Sequence, residues 1–308
     1  MINVESNDNM SHSHNHQKSN YNRAFAIGII LNVVFVAIEA SYGVAAGSLA
    51  LIADAGHNLS DVLSLLLAWG AGLLATKPAT EKRTYGFRKI TVMAPLASAI
   101  LLLVALGGIT WETIGRFFEP KPVDGITVII VAAIGVVINT ITALLFISGR
   151  KHDLNIRGAF LHMAADAGVS FGVVVAGTII MITGWLFVDP LISLLIVAVI
   201  LVGTWSLFRD SMNLAIDSVP EGIDITEIKR YLTGLENVSQ IHDLHIWPMS
   251  TTEVALSVHL NIVDDSLKKN FLPELQQELH DRFSIEHSTI QIERKDDDPC
   301  MLNKNGCI

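Results

Sequence analysis

The sequence predicts an α-helical membrane protein with six transmembrane helices, followed by a small α+β domain, and three observations carry that prediction. Six apolar runs each reach the roughly 20 residues that a bilayer requires. Only 17% of the 308 residues are charged, well below the roughly 25% usual in soluble domains. Beyond Pro220 the long apolar runs give way to short segments with helix and strand periodicity.

The six runs fall at 24–45, 49–75, 90–113, 123–147, 157–183 and 187–208. Ala46-Gly47-Ser48 separates the first two and Gly184-Trp185-Leu186 the last two, breaks short enough to require antiparallel hairpins. The first twenty residues are polar and lack a cleavable signal, and the run from Ala24 is long enough to span. It is therefore read as the first helix of the mature protein. With the N-terminus inside, eleven Lys and Arg collect on the inner side, against Arg116 and Lys121 outside. That asymmetry orients both termini to the cytoplasm.

In the C-terminal part, residues 224–235 read as a helix with Ile225, Ile228, Leu232 and Leu235 on one face. Strand-like runs follow at 238–247 and 253–262, the second alternating through Val254, Leu256, Val258, Leu260 and Ile262. Leu267, Phe271, Leu275, Leu279 and Phe283 make a helical stripe, and 288–293 reads as a last strand. The order α-β-β-α-β predicts helices on one face of a sheet. The expected organisation is a His-containing disordered tail (1–22), the helical domain (23–210), the α+β domain (211–295) and a flexible tail (296–308).

Composition excludes several classes. The net charge of −9 lacks the basic stripe of a nucleic-acid binder. The only two cysteines, Cys300 and Cys307, sit in the last nine residues, so this is no disulfide scaffold. In a cytosolic tail they would be thiols, free or metal-bound.

The chemistry lies in two matched pairs. His57 and Asp61 stand four apart in the second run, and His162 and Asp166 repeat the spacing in the fifth. Residues i and i+4 share a helix face, so each helix presents an imidazole with a carboxylate. Asp61 lies about 20 Å from the outer end of its helix and Asp166 about 13 Å from the inner end of its own. In a core about 30 Å thick these levels nearly coincide. Two nitrogens and two oxygens then converge, a donor set suited to tetrahedral Zn²⁺. A single such pair could be only a hydrogen-bonded pair ordering the bundle; two at matched depth favour a metal site, because ionisable groups in a span are expensive. Asn32, Glu39, Asp54 and Asn139 also lie within the spans. They line an aqueous path or orient the ligands, or else hydrogen-bond helix to helix.

Several stretches together resemble the zinc-transporting branch of the cation diffusion facilitator family. They are the two His-x₃-Asp pairs, Arg83-Thr84-Tyr85-Gly86-Phe87-Arg88, Asp189-Pro190, and His242-Asp243-Leu244-His245-Ile246-Trp247. The likeness runs from about residue 23 to 294. It implies a homodimeric zinc/proton antiporter with transport ligands His57, Asp61, His162 and Asp166, and the short loops and compact size fit a bacterial inner membrane. It also implies a metallochaperone-like cytoplasmic domain binding regulatory zinc at His242, His259, Glu293 and, less closely matched, His287. The chain departs from some relatives in lacking a His-rich loop between helices four and five; only His152 is there. His12, His14 and His16 alternate in the N-terminal tail, as a weak zinc collector or a merely solvated segment. Loop 76–89 has no histidine.

These residues suit export of Zn²⁺ against protons, since the metal needs neutral imidazole and ionised carboxylate, and histidine titrates near neutral pH. The rival readings are an intramembrane metalloenzyme, which lacks a His-Glu-x-x-His pattern, a cation channel, and a carrier of Cd²⁺, Co²⁺ or Ni²⁺.

Overall fold

The computed structural model describes residues 18–147, 154–263 and 270–294. The histidines of the N-terminal tail, His152, Cys300 and Cys307 lie outside them. Six long helices come first: α1 (Lys18–Ala46), α2 (Leu49–Ala75), α3 (Ile90–Phe118), α4 (Gly125–Phe146), α5 (Leu154–Thr183) and α6 (Val188–Ala215). Among the described residues, α2 to α6 each contain a stretch long and apolar enough to cross a membrane, and α1 has a shorter apolar segment at Asn32–Ala46. The protein is a multi-pass membrane protein.

Element ends depart from expectation where polar residues continue a helix. α3 runs on to Phe118 rather than 113, and α6 to Ala215 rather than 208, through Asp210 and Asn213. Hydropathy ends with the apolar run, whereas the backbone ladder does not. Likewise α1 begins at Lys18, inside the stretch expected as tail. The two tight turns hold as read: Gly47 (φ +68°) follows α1 and Gly184 (φ +66°) follows α5, both in the left-handed region that glycine enters without a Cβ clash.

The described residues form two compact units: up to Val62 with Val104–Ile200, and Leu63–Leu103 with Leu201 onward. In the first, α4 and α5 approach backbone to backbone. A Cβ at Gly125 would stand 2.9 Å from Gly177 O, and one at Gly177 would stand 3.0 Å from Ile129 and 3.2 Å from Gly125 O. Further along α4, Gly135 admits the ring of Phe35 from α1 and lies against Ser170 of α5. Such small-residue contacts hold membrane helices together by close packing, lipid being as apolar as the side chains.

The second unit contains the α+β domain: α7 (Ile225–Thr233), β1 (Val238–Pro248), β2 (Val254–Ile262), α8 (Phe271–Phe283) and β3 (His287–Glu293). The sheet order is β1-β2-β3, with β1 antiparallel and β3 parallel to β2. Asp224 caps α7 through Thr226 N and Glu227 N. Ile228 and Leu232 of α7 and Leu275, Leu279 and Phe283 of α8 pack on Leu244, Ile246, Leu256, Val258 and Leu260 of the sheet. Each fully buried side chain of this kind contributes about 1.5–3 kcal/mol. Leu267 of the expected stripe lies outside the described residues. Within this unit the α2–α3 loop joins the domain. Arg88 pairs with Glu253 at 3.1 Å, Lys89 with Asp217 and with Pro248 O at 3.0 Å, and Thr251 N donates to Thr91 Oγ1 at 3.1 Å.

Candidate metal centre

The first unit brings all four predicted membrane residues together. On α2, His57 and Asp61 share a face, with Nε2 and Oδ2 3.7 Å apart. On α5, His162 and Asp166 repeat the pairing at 3.7 Å. Across the helices His57 Nε2 is 3.4 Å from Asp166 Oδ1, and His162 Nε2 is 3.1 Å from Asp61 Oδ2. The imidazoles meet edge to face with centroids 5.9 Å apart. Zinc–nitrogen and zinc–oxygen bonds of about 2.0–2.1 Å make the edge of a tetrahedral site about 3.3 Å, and the observed separations cluster around that length. Two aspartates would also balance the charge of one divalent cation, which matters where water is scarce.

Other polar residues of the spans are also buried. Asn58 Nδ2 donates to Glu39 Oε2 at 3.2 Å, and Ser170 Oγ donates to Asp54 Oδ2 at 2.9 Å. These bonds tie α1 to α2 and α2 to α5. Both polar atoms of Asn139, and Oδ1 of Asn32, are buried without a hydrogen-bond partner among the described residues. Oδ1 of Asn58 is in the same position, while the Glu39 and Asp54 carboxyls meet each other. A set of unanswered oxygens inside a helical bundle is a place for water or cations. Ser170 carried no signal in the sequence, being one serine among apolar neighbours.

In the second unit, His242, His259 and Glu293 converge from β1, β2 and β3, one donor atom from each lying within 4.8 Å of the others. His259 Nδ1 is 2.9 Å from Glu293 Oε1, and His242 Nε2 is 3.3 Å from the same oxygen. Both His242 nitrogens are buried and make no hydrogen bond, an expensive arrangement that fits a metal ligand. A β-bulge between His242 and His245 produces the cluster: His242 faces His259 while His245 faces Ser257. The extra residue, Asp243, takes φ +51°. Its carboxylate lies 3.6 Å from His259 Nε2 and 3.0 Å from His245 Nε2. Asp243 lies within the His-Asp-Leu-His run, where spacing alone does not mark it as a ligand. His287 is placed apart from the trio: it pairs with Ala255 at the start of β3, and its ring meets that of Tyr85 at 5.9 Å. The parallel register sets Gln291, four residues on, opposite His259, so the histidine expected to join the cluster sits at the far end of the strand.

A bundle of membrane helices with two imidazoles and two carboxylates gathered on α2 and α5 is the arrangement expected of a carrier of metal cations. Comparison with known proteins makes the class specific. Residues 25–214 match the cation efflux transmembrane domain and 220–295 the cation efflux protein cytoplasmic domain. The chain belongs to the cation efflux family, the cation diffusion facilitators. It is 36% identical over 285 residues to the metal cation efflux system protein CzcD of Cupriavidus metallidurans, covering 92% of this chain and 89% of that one. It is 36% identical to the cadmium, cobalt and zinc/H⁺-K⁺ antiporter of Bacillus subtilis, covering 91% of each. It is 35% identical to the zinc transporter ZitB of Escherichia coli, covering 94% of each. Among solved structures, the metal-bound C-terminal domain of the Cupriavidus CzcD transporter is 37% identical, with a TM-score of 0.21, covering 23% of this chain and 99% of that one.

Proposed function

We propose that this metal cation efflux transporter exports Zn²⁺ from the cytoplasm in exchange for protons, with His57, Asp61, His162 and Asp166 as the transport ligands. The observation that carries this reading is the set of four imidazole–carboxylate approaches of 3.1–3.7 Å on α2 and α5, with donor atoms of Asp61, His162 and Asp166 all within 4.8 Å of one another and His57 beside them. Zinc loading requires both histidines neutral and both aspartates ionised, so metal and protons exclude each other on one site. Alternating exposure of that site to the two sides then couples outward zinc to inward protons. Glu39, Asp54, Asn32 and Asn139 supply polar surface along the route. Relatives named as zinc transporters and as a cadmium, cobalt and zinc antiporter support zinc first, with Cd²⁺ and Co²⁺ as further substrates; Ni²⁺ is a further candidate on donor type.

In this reading both termini face the cytoplasm of a bacterial inner membrane, and two copies pair through the C-terminal domain. His242, His259 and Glu293 would hold a regulatory zinc, which supplies a cross-link between three strands. The ion pairs of Arg88 and Lys89 link that domain to the loop joining α2 and α3, a path by which ordering the domain biases the helices. The test is zinc flux into proteoliposomes with and without an imposed pH gradient, for the native chain and Asp61→Ala. Saturable flux that rises with the gradient and vanishes in the variant is expected. Flux indifferent to the gradient would mean a uniporter or channel, and flux of another divalent metal alone would replace the substrate.

A further inference from the structure

The Asp189-Pro190 step that opens α6 belongs to neither metal cluster, yet Asp189 is only 1% exposed. A carboxylate so placed in an apolar bundle needs partners, and those it has belong mostly to another helix. Leu49 N donates to its Oδ2 at 2.9 Å and Ala50 N to its Oδ1 at 3.4 Å. Ser48 Oγ donates to Oδ1 at 2.5 Å. Arg116 of α3, itself buried, lies 3.6 Å from Oδ2 and also donates to Gly47 O. The opening amides of α2, which have no partner inside their own helix, are thus answered by a side chain of α6, and a negative group meets the positive end of the α2 dipole.

Helix α2 carries the metal ligands His57 and Asp61 about 12 and 18 Å further along. Along an α-helix, a shift of one residue also turns the exposed face by about 100°. Whatever fixes the first amides of α2 therefore fixes both the depth and the facing of those two ligands. We propose that Asp189 is a positioning residue of the transport site, setting the register in which α2 presents His57 and Asp61 to His162 and Asp166. This rests on the quartet being the metal site.

The test uses the full-length chain in detergent carrying His259→Ala, so that the C-terminal trio lacks a donor, with Co²⁺ as the probe. The visible absorption of four-coordinate Co²⁺ reports the geometry of the quartet as well as its affinity. Asp189→Asn is expected to weaken Co²⁺ binding about tenfold and to diminish the visible band. Ser48→Ala is expected to weaken it about threefold, and Ser48→Thr, which keeps the hydroxyl, to restore native values. Ser48→Ala also removes the bond that Leu51 N gives to Ser48 Oγ at 3.3 Å, so the share that acts through Asp189 is the part of its effect that disappears in the Asp189→Asn background. Should Asp189→Asn fail to fold, Asp189→Glu, which keeps the charge but shifts the carboxylate by one methylene, takes its place and is expected to diminish the band. A band that requires His57 and Asp61 but ignores both Asp189→Asn and Ser48→Ala overturns the proposal alone. A band that survives His57→Ala and Asp61→Ala overturns the quartet and the proposal together.

Discussion

The two candidate metal clusters use the same donor types and are built in opposite ways. The membrane quartet comes from two helices, each contributing a ready-made pair at i and i+4, with 3.7 Å inside each pair. The C-terminal trio comes from three strands and depends on a bulge that turns Asp243 to φ +51°. The quartet has two carboxylates against a divalent charge. The trio has one, with the Asp243 carboxylate standing off at 3.6 Å from His259. The first is a neutralised site inside a helical bundle; the second leaves charge over and depends on a strained corner. In the proposed roles, the difference suits a cargo site preset by two helices and a sensing site set by the geometry of the sheet.

That contrast can be broken at several points. The largest effect is expected for Asp166→Asn, which leaves the quartet one negative charge for a divalent ion. The initial zinc flux in proteoliposomes should fall by about two orders of magnitude, and a fall of less than threefold would remove Asp166 from the site. Next, His57→Asp converts N₂O₂ to NO₃ and hardens the donor set. In competition assays Mn²⁺ should gain about tenfold against Zn²⁺, and an unchanged ratio would show that donor type does not set preference here. His259→Ala should lower flux about threefold at limiting zinc while removing one zinc equivalent per chain; equal loss at saturating zinc would make the trio part of the transport path.

The smallest effect concerns pH. His280 is exposed, and its hydrogen bond with Asp281, reinforced by Glu286, raises its pKa above the ordinary 6.5. The protonated form is therefore favoured in the folded state. The stabilisation is complete below pH 6.5 and is lost as pH climbs through the raised value. Thermal unfolding of the full chain should show a slight fall in midpoint over that interval, absent in His280→Gln. A fall persisting in the variant would assign it to another group.

Legibility followed the geometry of each region. Helical spacing is local, so the pairing of His57 with Asp61 and of His162 with Asp166 could be read directly, and antiparallel depth counting brought the pairs level. Strand sites are nonlocal: which residue of β3 faces His259 depends on a parallel register that no spacing encodes, and His287 was carried into the cluster while Asp243 was left out. The cap that Asp189 provides joins residues 140 positions apart from Leu49, beyond the reach of periodicity. Strand order and the bulge were likewise invisible, whereas the alternation in β2 and the stripe of α8 predicted the core faces correctly.

The backbone crossing of α4 over α5 has a consequence on an evolutionary timescale. A methyl group at Gly125 would meet a carbonyl oxygen at 2.9 Å rather than a side chain that can swing aside, and one at Gly177 would crowd the side chains of Ile129 and Val128 first and the Gly125 carbonyl at 3.2 Å. Drift to alanine at either position spreads the two helices and carries His162 and Asp166 with them. Across descendants of this sequence the two glycines should persist as a pair, or be exchanged only with compensating changes at Val128 and Ile129. A stretch with no chemical group of its own would then be inherited as strictly as the ligands.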